Sequence, residues 1–343
     1  MFDSPRVVDY ASFRSICFPF VRTPRMTGPT SSEQNFIGIH LCGDTLRATI
    51  VRGDGTLVES RQTSLDRENP VQQTAQTVKE LLKLAPNVLS VGVAIAGLVD
   101  RLKDSVVESR ELPASITGNL HTELMRETGL RFELENDANA AAYGEFQVGA
   151  GQGSRDMFYM SIGEGIGGAI ILDGKLWTGA NGLAGEVGHI TIDSEGIDCI
   201  CGNTGCLETV ASAPNIVRRA NDRLDRDSTS SLSRLAMNKE FTASDVAHEA
   251  NNGDDFALMM IERTGKYIGT GVATVINLLN IERVVLGGGV MDAGDLILKP
   301  VIQEAKRRAF QPSFEATRIL VATLGPEASA IGAALLARDA QIV

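Results

Sequence analysis

Cysteine is scarce in this chain, with five residues in 343, a usage that suits a reducing, cytoplasmic location. Basic charge is short as well. Lys and Arg number 32 against 43 Asp and Glu, for a formal charge of −11, which argues against a general nucleic-acid surface. No apolar run reaches membrane-spanning length, so no membrane partner is expected. Near the start, Ile16-Cys17-Phe18 is too short for a signal-peptide core. Residues 1–34 read as a flexible tail. Arg6, Arg14, Arg22 and Arg25 make it locally basic, and Pro5, Pro19, Pro24 and Pro29 interrupt it. A transit peptide, opposed by Asp3 and Asp9, and a true start at Met26 stay open as alternatives.

What remains is an ordinary globular composition, 43% hydrophobic, in a chain long enough for two domains sharing a cleft. Phe36 to Ile50 reads as strand, polar turn and returning strand, and Gly53-Asp54-Gly55 as a hairpin turn. Helical spacing runs through Val71, Ala75, Val78, Leu81 and Leu82. Val88–Ile95 is a buried strand, 120–128 a helix and 130–134 a strand. A second strand, glycine turn and strand spans 158–171. Residues 215–252 read as polar and helical, with a Ser/Thr-rich loop at 227–233. A long helix at 256–279 carries Gly265, Gly269 and Gly271, which permit close packing. A strand at 281–286, a helix at 296–310, a strand at 319–322 and a helix at 329–338 complete the order. Strands alternating with helices give an α/β fold, and the two glycine-turn hairpins suggest a duplicated unit facing a cleft.

Three of the five cysteines fall within eight residues: Cys199, Cys201 and Cys206. His189 lies ten residues before the first. Thiolates and a neutral imidazole suit a tetrahedral Zn²⁺, and four protein ligands make such a site structural rather than catalytic. Gly202 and Gly205 allow the tight turns that wrap a chain around a metal. The competing reading is a cluster of buried or redox-active thiols. Glu186 and Glu208 flank the run, and a metal that fixes the loop would fix these carboxylates as acceptors for hydroxyl groups. In isolation, each glutamate reads as a solvated loop charge.

Leu134-Glu135-Asn136-Asp137 leads a strand into an alanine-rich helix. Asn136 or Asp137 suits the N-cap of that helix. Asp137 equally suits a general base at the C-terminal end of a strand, where open α/β folds place their ligands.

Gly185-Glu186-Val187-Gly188-His189, followed by Cys199-Ile200-Cys201-Gly202-Asn203-Thr204-Gly205-Cys206-Leu207-Glu208, resembles the ROK family of repressors, open reading frames and sugar kinases, and its bacterial glucokinase branch in particular. The resemblance spans about 37–338. It implies an actin-like, ribonuclease H-like, two-domain sugar kinase fold with a cleft and a structural zinc loop. The expected division is a small domain over 35–145, closed by a C-terminal helix at 326–343, and a large domain over 146–325. It further implies phosphorylation of a hexose by ATP with Mg²⁺, glucose to glucose 6-phosphate in the glucokinase case, by a cytoplasmic homodimer. Asp137 would be the base, and Asn136, Asp137, Glu186, His189 and Glu208 the sugar site, His189 serving both zinc and sugar. Gly43 and Asp44, Gly163-Glu164-Gly165 and Gly287-Gly288-Gly289 would cradle the nucleotide. The zinc ligands would be His189, Cys199, Cys201 and Cys206. The family's repressors carry a winged-helix domain, for which the tail is too short.

The chain departs from the family at the phosphate side. Where the kinases have Asp-x-Gly-Gly-Thr, this chain has His40-Leu41-Cys42-Gly43-Asp44, and Glu164 stands in a Gly-Thr-Gly turn. A carboxylate facing phosphate costs about a few kcal/mol at about 4 Å with an effective dielectric near 20. Mg²⁺ recruited by Asp44 or Glu164 would reverse that sign. On the sugar side, Ala96 and Glu111 stand where the family often has proline and a sugar-binding asparagine, which leaves the hexose open. A sugar sensor that has lost ATP chemistry is the alternative.

Overall fold

The computed structural model describes residues 34–341 except 102, 225–228 and 239. Nearly all of the N-terminal tail, part of the 227–233 loop and the last two residues of 326–343 lie outside the described residues. Five strands build a first sheet: β1 (Asn35–Cys42), β2 (Thr45–Arg52), β3 (Leu57–Ser64), β4 (Ser90–Ile95) and, after a short hairpin of β5 (Leu98–Asp100) and β6 (Ser105–Glu108), β7 (Arg131–Asn136). A second sheet follows with β8 (Met157–Ile162), β9 (Ile166–Leu172), β10 (Lys175–Trp177), β11 (Arg283–Gly287) and β12 (Arg318–Val321). The strand orders are β3-β2-β1-β4-β7 and β10-β9-β8-β11-β12. In each, three strands meander antiparallel and two more join parallel to the first. The two sheets therefore repeat one topology, as the paired glycine hairpins suggested, and the fold is the two-domain actin-like one.

Parallel strands covered on both faces must be apolar on both, and β1 and β4 are. One face of the first sheet packs Ile37, Ile39 and Leu41 against Val71, Val78 and Leu81 of the helix Pro70–Leu82 and against Leu120 and Leu124 of Leu120–Thr128. The other face meets the helices Asp137–Val148 and Ala328–Ala340. That second contact requires an absence of side chains. A Cβ on Gly38 would lie 1.8 Å from the Ala330 carbonyl oxygen, and one on Gly92 1.9 Å from that of Ala333. The chain's last helix is thus seated on its first strand, an association that local sequence does not reveal. In the second half, the long helix Asp255–Leu279 meets Asp295–Arg308 through Gly265 and Gly269 in the same way.

Element order matches the sequence reading for the longer elements, with boundaries moved by a few residues; the stretch 215–252 divides into the helices Ala213–Leu224, Ser231–Asn238 and Ala243–Asn251, and the reading omits the short helix Gln311–Ala316. The reading passed over β5, β6 and β10, whose three or four residues are too short to show alternation. Among the described residues, no helix is long and apolar enough to cross a membrane.

Gly92→Ala is expected to destabilise the protein by about 1–3 kcal/mol, the usual cost of overpacking a dense interior, since backbone rather than a side-chain tip must move. Chemical denaturation checks this. An unchanged midpoint would mean that the last helix is not seated on β4.

Candidate functional site

The parallel strands deliver their C-terminal ends to one edge of each sheet. In the first sheet these ends are Cys42, Ile95 and Asn136. Asn136 ends β7 and caps the helix that follows. Its backbone is extended, and its side-chain oxygen accepts from the Asn139 amide at 3.1 Å. Its Nδ2 donates to the Gly97 carbonyl at 3.0 Å. The cap is therefore Asn136, and Asp137 occupies the first turn. Asp137 Oδ1 accepts from the Ala138 amide at 3.0 Å and from Asn136 Nδ2 at 3.2 Å, while Oδ2 makes no hydrogen bond to the helix and lies 3.8 Å from His40 Nε2. Sequence reasoning missed Glu135. Its buried carboxylate accepts from the Asn136 amide and the Asn139 side chain, both at 3.0 Å, with Arg101 3.3 Å away. Burial pushes its pKa up against the opposing pull of Arg101.

The loop after β10 brings His189, Cys199, Cys201 and Cys206 together, with one ligand atom from each lying within 4.8 Å of the others. Cys201 and Cys206 Sγ are 3.7 Å apart, and Cys199 Sγ is 3.6 Å from His189 Nδ1. A tetrahedron with Zn–S bonds of about 2.3 Å and Zn–N bonds of about 2.0–2.1 Å has edges of about that length. The donor set and its spacing thus fit zinc, and the imidazole turns Nδ1 toward the thiols, leaving Nε2 for another partner. Burial and the neighbouring thiols push Cys206 up to about 12. The Asn203 amide, foremost among several hydrogen bonds, draws exposed Cys201 down. A divalent cation favours the thiolate of each. Gly202 and Gly205 both have positive φ, +90° and +69°, as the wrapping turns require.

The two glutamates of this loop have different settings. Glu186 is exposed at the start of a short turn of helix that ends at His189. Desolvation of its carboxylate pushes its pKa up; His189 pulls it down, and the Glu208 and Asp137 charges add to the rise. Glu208 opens the short helix Glu208–Ala211, and its Oε2 accepts from the Ile166 amide at 2.8 Å. It therefore ties the cysteine loop to the second glycine hairpin. Arg110 reaches the same loop from the first sheet's side, donating to the Ile200 carbonyl at 3.3 Å.

The glycine turns divide in character. Gly163-Glu164-Gly165 closes on itself through a Gly163 amide to Gly165 carbonyl bond of 2.9 Å, and Glu164 is exposed. Gly288 (φ +87°) lies against the end of β8, where a Cβ would come 2.3 Å from the Ile162 carbonyl oxygen. The triplet Gly287–Gly289 and the Gly163 turn are consequently adjacent. The first turn differs. Asp44 is bound by Arg67 at 2.6 Å, and Arg67 also donates to the Glu111 carbonyl at 3.1 Å. The Cys42 thiol donates to Glu111 Oε2 at 3.3 Å. Burial, with Asp137 and Glu111 nearby, pushes Cys42 well above the ordinary thiol range. Arg67 lies 23 residues from Asp44, and no local signal pairs them.

Comparison with known proteins gives a consistent result. The ROK family model matches residues 36–340. A glucokinase of Halalkalibacterium halodurans is 32% identical over 324 residues, 90% of this chain and 96% of that one. The crystal structure of a ROK family glucokinase from Streptomyces griseus with glucose and AMPPNP superposes with a TM-score of 0.79 at 30% identity, over 89% of this chain and 99% of that one. A ROK family transcriptional regulator, a homologue of the E. coli MLC protein, has a TM-score of 0.80 at 27% identity, covering 89% and 78%.

The capping geometry predicts unequal costs at adjacent residues. Asn136→Ala is expected to cost about 1–2 kcal/mol of stability through loss of the cap. Asp137→Asn is expected to cost under about 1 kcal/mol, the scale of one charge at a helix N-terminus. Thermal and denaturant melts of both variants test this, and a larger loss for Asp137→Asn would contradict the cap assignment.

Proposed function

The chain belongs to the ROK family, and from that premise we propose that it is an ATP-dependent hexose kinase of the glucokinase type. One observation carries the reading. Asp137 stands at the end of a parallel strand, relieved of capping by Asn136, with a carboxylate oxygen left over for a substrate. In this reading a sugar hydroxyl gives its proton to Asp137 Oδ2 as its oxygen attacks the terminal phosphorus of ATP. A new O–P bond forms, the bond to the bridging oxygen breaks, and ADP leaves. Asn136, Glu186, His189 Nε2 and Glu208 receive and orient the remaining hydroxyls. Glu186, a carboxylate, accepts from the sugar hydroxyls. The turns at Gly163–Gly165 and Gly287–Gly289 take the nucleotide.

Zinc is assigned to His189, Cys199, Cys201 and Cys206, where it would supply rigidity rather than reaction chemistry. Mg²⁺ is a hard ion that favours oxygen ligands. The imidazole and thiol of the first turn suit it poorly, and Asp44 is already paired with Arg67. Exposed Glu164 is the remaining carboxylate of the glycine turns. A non-catalytic sugar sensor is the second reading, favoured by His40 and Cys42 in the first turn and by the likeness to a transcriptional regulator.

Release of ADP, followed across glucose, mannose, N-acetylglucosamine and allose, tests the kinase reading. Turnover is expected with at least one of them, and Asp137→Asn is expected to lower it by at least about 10²-fold while sugar still binds. Tight sugar binding with no ADP released would favour the sensor.

Metal analysis of protein purified without chelator is expected to find about one zinc per chain. Cys206→Ser is expected to lower zinc content, stability and sugar affinity together, because the same loop carries Glu186 and Glu208. Zinc-free protein with full sugar affinity would overturn the assignment.

A further inference from the structure

Strand periodicity puts His40 and Cys42 on the face of β1 that also carries Gly38, the face covered by the helices Ala328–Ala340 and Asp137–Val148. Two neighbouring positions on that face therefore converge on the start of the Asp137 helix. One ligand atom from each of His40, Cys42 and Asp137 lies within 4.8 Å of the other two. His40 Nε2 is 3.8 Å from Asp137 Oδ2. The N–O edge of a tetrahedral zinc-class centre is about 3.4 Å, so a small side-chain adjustment would close the geometry. His40 Nε2 is buried and makes no hydrogen bond. Glu111 stands behind the thiol as its hydrogen-bond acceptor, placing a further oxygen beside the cluster.

We propose that His40, Cys42 and Asp137 form a second metal site, distinct from the His189 cluster, that takes a borderline divalent ion of the Zn²⁺, Co²⁺ or Ni²⁺ class. The donor set is one imidazole, one thiolate and one carboxylate, which suits these ions and disfavours Mg²⁺. Three protein ligands leave a fourth position open to water or an anionic oxygen. Coordination replaces the Cys42 thiol proton, which is released to solvent past Glu111. If the chain phosphorylates sugar, occupation ties up Asp137 and inhibits it. The binding itself does not depend on that activity.

The test is a Co²⁺ titration of the full chain, already carrying its zinc, by calorimetry and by the thiolate-to-cobalt absorption in the near ultraviolet. Wild type is expected to take up one equivalent with that absorption, in the presence of millimolar Mg²⁺. Cys42→Ser is expected to lose the absorption and His40→Gln to weaken binding by at least about tenfold, each keeping its original zinc. If a variant fails to fold, site-resolved alkylation of wild type replaces it, and Co²⁺ is expected to slow modification of Cys42. No uptake by wild type, an absorption that survives Cys42→Ser, or equal alkylation of Cys42 with and without Co²⁺ would overturn the proposal.

Discussion

Close approach of backbone to backbone around the chain's last helix fixes the geometry of the candidate site. The helix Ala328–Ala340 lies on Gly38 and Gly92 of the first sheet, and at Gly332 it meets the Asp137 helix, where a Cβ would be 1.7 Å from the Ala140 carbonyl oxygen. Gly144 makes the reciprocal approach toward the Ala328 carbonyl oxygen. Ser329 adds a hydrogen bond to the Asp137 carbonyl at 3.1 Å. Two helices and a sheet are locked at distances that larger side chains forbid, so Asp137 has little freedom to shift. Precision of that kind is what the base role proposed for Asp137 requires. Buried Glu145 extends the lock at the helix's far end, accepting from the Thr323 and Leu324 amides at 2.8 and 2.7 Å and from the Ala150 amide at 2.7 Å.

A second constraint joins the cysteine loop to the second glycine hairpin. Glu208 follows the last cysteine by two residues, and the Ile166 amide holds it at the edge of the Gly163 hairpin. In the proposed reading, a sugar-side carboxylate and a nucleotide-side turn are thereby linked through one side chain. Whatever orders the cysteine loop also orders the entrance to that turn. This makes the His189 cluster more than a local fastening, because through Glu208 it bears on the turn at Gly163–Gly165.

Much of this was legible in the sequence. The cysteine spacing pointed to a tetrahedral cluster, and the structure brings the four side chains together at tetrahedral edge lengths. The element order and the repeated hairpin were readable from apolar periodicity and glycine positions. Asn136 and Asp137 were read as equally good caps, because both residue types satisfy the first turn. Only backbone geometry separates them: Asn136 is extended and bonds Asn139. Contacts distant in sequence left no local trace. Arg67 on Asp44, Arg110 on Ile200, and the last helix on β1 each join residues whose proximity is a product of topology.

Those distant contacts also rank the departures at the first turn. Taken singly, the carboxylate of Asp44 is the most damaging, a negative charge in a turn that the family resemblance assigns to phosphate. In the fold it is largely answered, since Arg67 holds it at 2.6 Å and it stands exposed, where water screens what charge remains. Glu164 is likewise exposed, on a turn whose backbone bond does not involve its side chain. The changes at 40 and 42 have no such relief. Both side chains lie inward with Asp137, and the charge nearest them is that of Asp137 and Glu111. Replacing the family's aspartate by an imidazole, and adding a thiol where it has glycine, changes which cations the turn could hold. The family resemblance is therefore tested most severely at His40 and Cys42, where burial leaves water little room to soften the substitution.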